Sequence, residues 1–150
     1  MSPAPPHDDA DPSSGAGPLG DGPLRLDERL IAALDTIGHE FQADFFARAL
    51  IGRDDDVGLL GDLAHALTRV GRHEEGLEID RRVVELAPED PTAHYNLACS
   101  LSLTGSHEEA LAELTRAVDL GFSDHALART DPDLEAVRND PRFGELFGGA

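Results

Sequence analysis

Two tripeptides, His73-Glu74-Glu75 and His107-Glu108-Glu109, each set an imidazole beside paired carboxylates, the side chains that acid–base catalysis and metal binding use. Their recurrence at a separation of 34 residues changes the reading. Each copy stands at the same place in a repeating unit, the start of a helix, where acidic side chains face the positive end of the helix dipole. A zinc helix needs His at i and i+4, as in H-E-x-x-H, and neither copy has it. The pattern therefore reads as capping and packing, with no metal. Cys99, the single cysteine, could be imagined as a nucleophile with His65 or His94. It falls inside an expected helix, without a neighbouring cation or helix N-terminus to lower its pKa, and reads as a small, partly buried residue. Alone, it also excludes a disulfide framework. Arg53-Asp54-Asp55-Asp56 lacks the 12-residue alternation of a calcium loop and reads as a solvated turn. The glycines form neither a P-loop nor G-x-G-x-x-G after a strand, so no nucleotide or other cofactor is implied. These residues point away from an enzyme and toward a protein that acts through its surface.

The elements that position such a surface follow from periodicity. From Leu24 onward apolar residues recur at helical spacing, no window alternates with period two, and Pro and Gly fall mostly between the periodic segments. The expected fold class is all-α. Residues 57–90 align without gaps on residues 91–124, with 12 of 34 positions identical, among them Leu63 with Leu97, Ala64 with Ala98, Leu67 with Leu101, Gly71 with Gly105 and Asp90 with Asp124. A self-match at this period marks a repeat architecture.

Each repeat reads as a pair of helices. Asp90 caps the first helix of the second unit and Pro91 occupies its first turn. Tyr95, Leu97, Ala98 and Leu101 supply an apolar face, and Gly105 ends the helix in a left-handed conformation. Ser106 is expected to cap the second helix, whose buried stripe is Ala110, Leu111, Leu114, Ala117, Val118 and Leu120. Ala64, Ala98, Gly76 and Ala110 are small where paired helices approach. One such hairpin cannot bury both faces, so neighbours must stack.

These residues resemble the tetratricopeptide repeat, whose pattern runs W-x2-L-G-x2-Y, then A-x3-F, then P. The first copy reads Leu60-x2-Leu63-Ala64-x2-Leu67, Gly76-x3-Asp80 and Pro88; the second reads His94-x2-Leu97-Ala98-x2-Leu101 and Ala110-x3-Leu114. Asp80 stands where the family has a large apolar residue, leaving that contact to Ile79 and Val83, and Phe122 replaces the closing Pro. The resemblance implies a right-handed α-solenoid of stacked antiparallel hairpins. Around the two repeats, residues 24–56 read as a degenerate repeat or N-terminal capping hairpin, with one helix closed by Gly38 and another from about His39 to Ile51. Residues 125–150 read as C-terminal capping helices, two of them opened by Asp131-Pro132 and Asp140-Pro141. Residues 1–23, with six Pro, four Gly and four Asp, read as a disordered tail.

In the family the first helices line a concave groove for peptides or partner helices. By position this implies His65, Thr68 and Arg69 from the first unit, Thr92, Tyr95, Asn96, Cys99 and Ser102 from the second, and Arg129 beyond. Tyr95 and Arg69 are the expected anchors, because Tyr and Arg are common hot spots. The family's clamp for acidic C-terminal peptides wants Lys and Asn where Gly61 and His65 stand, and Lys and Arg where Ala126 and Thr130 stand; only its other Asn, at Asn96, is matched. Composition agrees. With 30 acidic and 12 basic residues the net charge is -18, and every basic residue is Arg. Nucleic acid and anionic membranes reward basic patches and are poor partners, as is an acidic ligand. The expectation is a cytoplasmic, bacterial, non-enzymatic scaffold that binds a neutral or basic segment of another protein, with self-association as the alternative and a small His/Cys enzyme the weaker rival.

Overall fold

The structure, a computed structural model, describes residues 28–148; the Pro/Gly/Asp-rich tail of 1–23, with Leu24 and Leu26, lies outside the described residues. Within them the fold is all-helical, without strands. Its elements are α1 (Glu28–Ala49), α2 (Val57–Arg69), α3 (His73–Leu86), α4 (Pro91–Leu103), α5 (His107–Asp119), α6 (His125–Thr130), a short 3-10 helix (Pro132–Leu134) and α7 (Pro141–Phe147). No described helix is long and apolar enough to cross a membrane.

Aspartate starts the first helix of each unit and glycine stops it, at the repeat spacing. The carboxylates of Asp56, Asp90 and Asp124 accept from the backbone N–H of Leu59, Thr92 and Leu127 at 3.1, 2.8 and 2.9 Å, satisfying donors that a first helical turn leaves open. Asp131 and Asp140 do the same for the 3-10 helix and α7. At the other ends Gly71 (φ 81°) and Gly105 (φ 86°) adopt the left-handed conformation. Beyond them the N–H groups of Arg72 and Ser106 reach back to the carbonyls of Leu67 and Leu101, both at 2.9 Å, a Schellman closure.

Successive helices pack in chain order, α1 on α2, α2 on α3, α3 on α4 and α4 on α5, with α7 on α5 and α6 and the 3-10 helix on α4. Small residues set the spacing. A Cβ added at Gly76 would meet Thr68 Oγ1 at 3.2 Å and the Ala64 carbonyl at 3.4 Å, while Ala98 and Ala110 are fully buried at the matching places of the second unit. One core gathers Leu50, Leu60, Leu63, Leu67 and Val83. A larger one joins Leu97, Leu101, Leu111 and Leu114 to Leu134, Val137, Phe143 and Phe147. Helix α4 lies deepest, with nine of its 13 residues buried.

Three local expectations are corrected. Residues 28–49 form one continuous helix instead of a hairpin, and Gly38 is not among the positive-φ glycines. A single Gly inside a helix costs about 1 kcal/mol relative to Ala, less than a turn would lose in backbone hydrogen bonds, and His39-Glu40 offers no capping side chain to restart a helix. Ser106 occupies the N-cap position of α5, but its side chain makes no capping bond; Glu108 and Glu109 in the first turn supply the favourable charge. The segment opened by Asp131-Pro132 makes only a 3-10 turn, because Leu134 and Val137 are already committed to the core against α4 and α5.

These conformations separate two glycines of the same chain. Gly38→Ala is expected to raise unfolding free energy by about 0.5–1 kcal/mol, because the added methyl meets open space in a helix. Gly105→Ala is expected to lower it by about 1 kcal/mol or more through left-handed strain. Urea denaturation followed by circular dichroism measures both; a loss of stability in the first variant would restore the turn at Gly38.

Candidate functional site

Between α2 and α4 the surface opens into a cleft of about 290 Å³. Gly61, His65, Thr68 and Arg69 of α2 form one wall, Tyr95, Asn96, Cys99 and Ser100 of α4 the other, and Asp131, Pro132 and Asp133 close one side. The two walls share repeat-equivalent positions, since Gly61 and Tyr95, like His65 and Cys99, stand 34 residues apart. His65, Arg69 and Asn96 are exposed at the rim, whereas Tyr95, Cys99 and Ser100 are buried.

The floor holds a carboxylate. Asp80 of α3 is 4% exposed and accepts a 2.6 Å hydrogen bond from Ser100 Oγ; no salt bridge to it occurs among the described residues. Burial pushes its pKa up to about 6, only partly countered by the Ser100 bond. Asp133, half-buried on the closing side, is also shifted upward, first by burial and then by the charge of Asp131, with Arg69 acting in the opposite direction. Burial thus opposes both charges, and on the closing side the neighbouring Asp131 adds repulsion.

Asp131 organises the far end. Its Oδ2 accepts from Tyr95 Oη at 2.7 Å and lies 3.9 Å from Cys99 Sγ, while its Oδ1 caps the 3-10 helix. The Tyr95 ring stacks on Phe122, centroids 4.3 Å apart and nearly parallel, and Phe122 meets Phe147 edge-on. Phe122, the residue in place of the repeat's closing proline, therefore couples the cleft wall to the C-terminal helices. Burial, followed by the charge of Asp131, drives the Cys99 thiol pKa upward. That keeps the sulfur protonated, the opposite of what a nucleophile requires.

Of the nine residues placed in the groove by sequence, the structure gathers His65, Thr68, Arg69, Tyr95, Asn96 and Cys99 around this one cleft. Tyr95 is no free anchor, because its ring is covered by Phe122 and its hydroxyl is held by Asp131. Thr92 sits in the first turn of α4, where its backbone N–H meets the Asp90 cap. Ser102 is buried on a separate shallow hollow beside Pro132 and Glu135. Arg129 donates to the Phe147 carbonyl at 2.7 Å, which closes α7 instead of facing a ligand. Sequence reasoning missed Asp80, Asp131 and Asp133. A signal for Asp80 was present: an acidic residue on the buried stripe of α3, which the repeat pattern fills with a large apolar side chain. Three of the four tripeptide carboxylates form ion pairs. Glu75 pairs with Arg72, Glu109 with Arg81 of α3, and Glu108 with Arg142 of α7 through two 2.8 Å bonds. No group of three or more metal-binding side chains occurs among the described residues.

No family model matches the chain. It is similar to a chloroplastic protein of Arabidopsis thaliana, with 35% identity over 80 residues that make up 51% of this chain and 24% of that protein. The match thus covers about a quarter of the relative's length.

The burial of Asp80 fixes a pH dependence. Its folded-state carboxyl keeps its proton up to about pH 6, whereas the ordinary Asp value is 3.8, so the folded chain binds the extra proton and loses stability as pH rises through that interval, by about 3 kcal/mol at most. Asp80→Asn is expected to gain about 1–3 kcal/mol at pH 7 and to flatten the stability profile between pH 4 and 6. Denaturant midpoints across that range test this; an unchanged slope in the variant would remove Asp80 as its source.

Proposed function

We propose that this chain is a non-enzymatic protein-interaction module of the tetratricopeptide type, a right-handed α-solenoid of antiparallel hairpins whose cleft between α2 and α4 receives an extended segment or helix of another protein. The ligand is basic or neutral. The observation that carries this reading is Asp80: a buried carboxylate without a basic partner among the described residues, costly to the fold, at the floor of an open cleft whose side holds Asp131 and Asp133. A lysine or arginine entering the cleft would supply the missing countercharge where water is scarce and Coulomb attraction correspondingly strong. Arg69 and Asn96 at the rim are placed to meet backbone carbonyls of the incoming segment, fixing its direction, as polar groups around a buried anchor commonly do. Repeat-equivalent positions in the two walls and the chain-order packing of α2 to α5 support the solenoid assignment. A net charge of -18 supports a basic partner, and argues against nucleic acid and anionic membranes. The surroundings of Cys99 argue against chemistry at sulfur. A cytoplasmic setting is part of the same proposal.

Selection from a random peptide library on the immobilised chain, followed by calorimetry, tests the reading. Enriched peptides are expected to carry Arg or Lys, to bind less tightly as salt rises, and to lose about tenfold or more in affinity to Asp80→Asn. That loss would come from a variant that is the more stable protein, so it could not be attributed to unfolding. Equal affinity in Asp80→Asn and in a rim variant, Asn96→Arg, would overturn the site.

A further inference from the structure

Beyond the cleft, the structure carries a second surface at the opposite end of the helix order. Helix α1 spans 22 residues, about 33 Å at 1.5 Å per residue, and its partner α2 only 13. Every residue from Glu28 to Gly38 is exposed. The buried side is made by Ala43, with Leu50 just beyond the helix. Ile31, Leu34, Ile37, Phe41 and Phe45 lie away from it and are 44%, 50%, 61%, 71% and 56% exposed. Among the described residues outside this helix and the turn after it, only Leu127 is a comparably exposed large hydrophobic.

We propose that this face of α1 is an interface between two copies of the chain, with their α1 helices antiparallel about a two-fold axis near Ile37 and Gly38. Leu34, Ile37 and Phe41 succeed one another at spacings of three and four, the seam spacing of paired helices. The face is self-complementary under that axis: Leu34 meets Phe41 of the second copy, and Ile31 meets Phe45. A two-fold contact requires this of a single patch, which must match itself when reversed. The area is sufficient. The five exposed fractions amount to on the order of 500 Å² per copy, so the pair removes roughly 1,000 Å² from water before any peripheral contact, the lower bound for a specific interface. The chain's own N-terminal segment is a weaker occupant, since Met1, Leu19, Leu24 and Leu26 are the only large apolar side chains in residues 1–27. Charge gives the association a signature. Two copies at -18 each repel, and salt screens that repulsion without weakening apolar burial, so the dimer tightens with salt, whereas a basic ligand in the cleft loosens.

Sedimentation equilibrium of the full chain over a wide concentration range, at low and high salt, tests this. The mass is expected to rise toward twice that of one chain, at lower concentration when salt is high, and to stay that of one chain in the double variant Leu34→Glu, Phe41→Glu, whose helical circular dichroism is unchanged because both residues face water in the monomer. Mild oxidation is expected to cross-link Gly38→Cys into a covalent dimer and to leave Glu28→Cys, far from the axis, without a cross-link on a denaturing gel. A wild-type monomer at every concentration and salt overturns the proposal, as does equal cross-linking of the two cysteine variants. If that monomer also melts at lower temperature on Phe41→Glu, the face is covered by the chain's own N-terminal segment.

Discussion

Helix α4 is buried on nearly every side, so most of the polar groups it carries are answered where they stand, and much of the fold is arranged around that requirement. His94 sits with Nδ1 2.6 Å from Glu113 Oε2 and Nε2 2.9 Å from the Pro88 carbonyl, tying α4 to α5 and to the loop before it. Ser100 finds Asp80 on α3, and Tyr95 finds Asp131 beyond α6. Each of these three side chains thus ties α4 to its neighbours, whereas the buried Ser102 hydroxyl finds no hydrogen-bond partner among the described residues. An apolar α4 would bury as readily, but would leave the placement of those neighbours to shape alone. Two of these bonds, Ser100 to Asp80 and Tyr95 to Asp131, also build the cleft, so the contacts that orient the helices and those that shape the candidate site are the same.

Features set by local chemistry were legible in the sequence. An aspartate before a helix and a glycine after it act within a few residues, so the repeat boundaries at Asp90, Gly71 and Gly105 could be read directly, and the aliphatic stripes placed the cores. Gly38 shows where such reading stops: the same residue closes a helix or is tolerated inside one, according to whether its successors can cap a new helix and where the next segment packs. Arg129 and Tyr95 show a second limit. Position in a repeat put both on the groove side, but the partners that claim them, Phe147 and Asp131, lie in the C-terminal segment after the last repeat. The cleft's acidic members depend on the same long-range placement, apart from Asp80, whose misfit with the apolar pattern was visible before its surroundings were.

The large acidic excess has distinct physical roles. Some carboxylates replace backbone partners at helix starts, and Asp140, hydrogen-bonded by Arg142, is held down to about pKa 2. Others join α5 to α3 and α7 through exposed arginine pairs, which contribute little individually. Asp80 and Asp133 differ from both groups, because burial opposes their charge. Net charge alone does not distinguish these environments, although one group holds the helices in place and another penalises the folded state.

The division into two cores makes resistance to opening uneven along the chain. The C-terminal core includes the largest fully enclosed side chains, Phe147, Leu101, Leu114, Leu134 and Val137, and its aromatic contacts continue from Tyr95 to Phe143. The N-terminal core is smaller, and α1 adds to it chiefly through Ala43 and the Leu50 just past its end. Fraying can therefore begin at α1 while the second hairpin and its aromatic clasp stay intact, giving the molecule a graded hierarchy of partial unfolding in place of one indivisible unit.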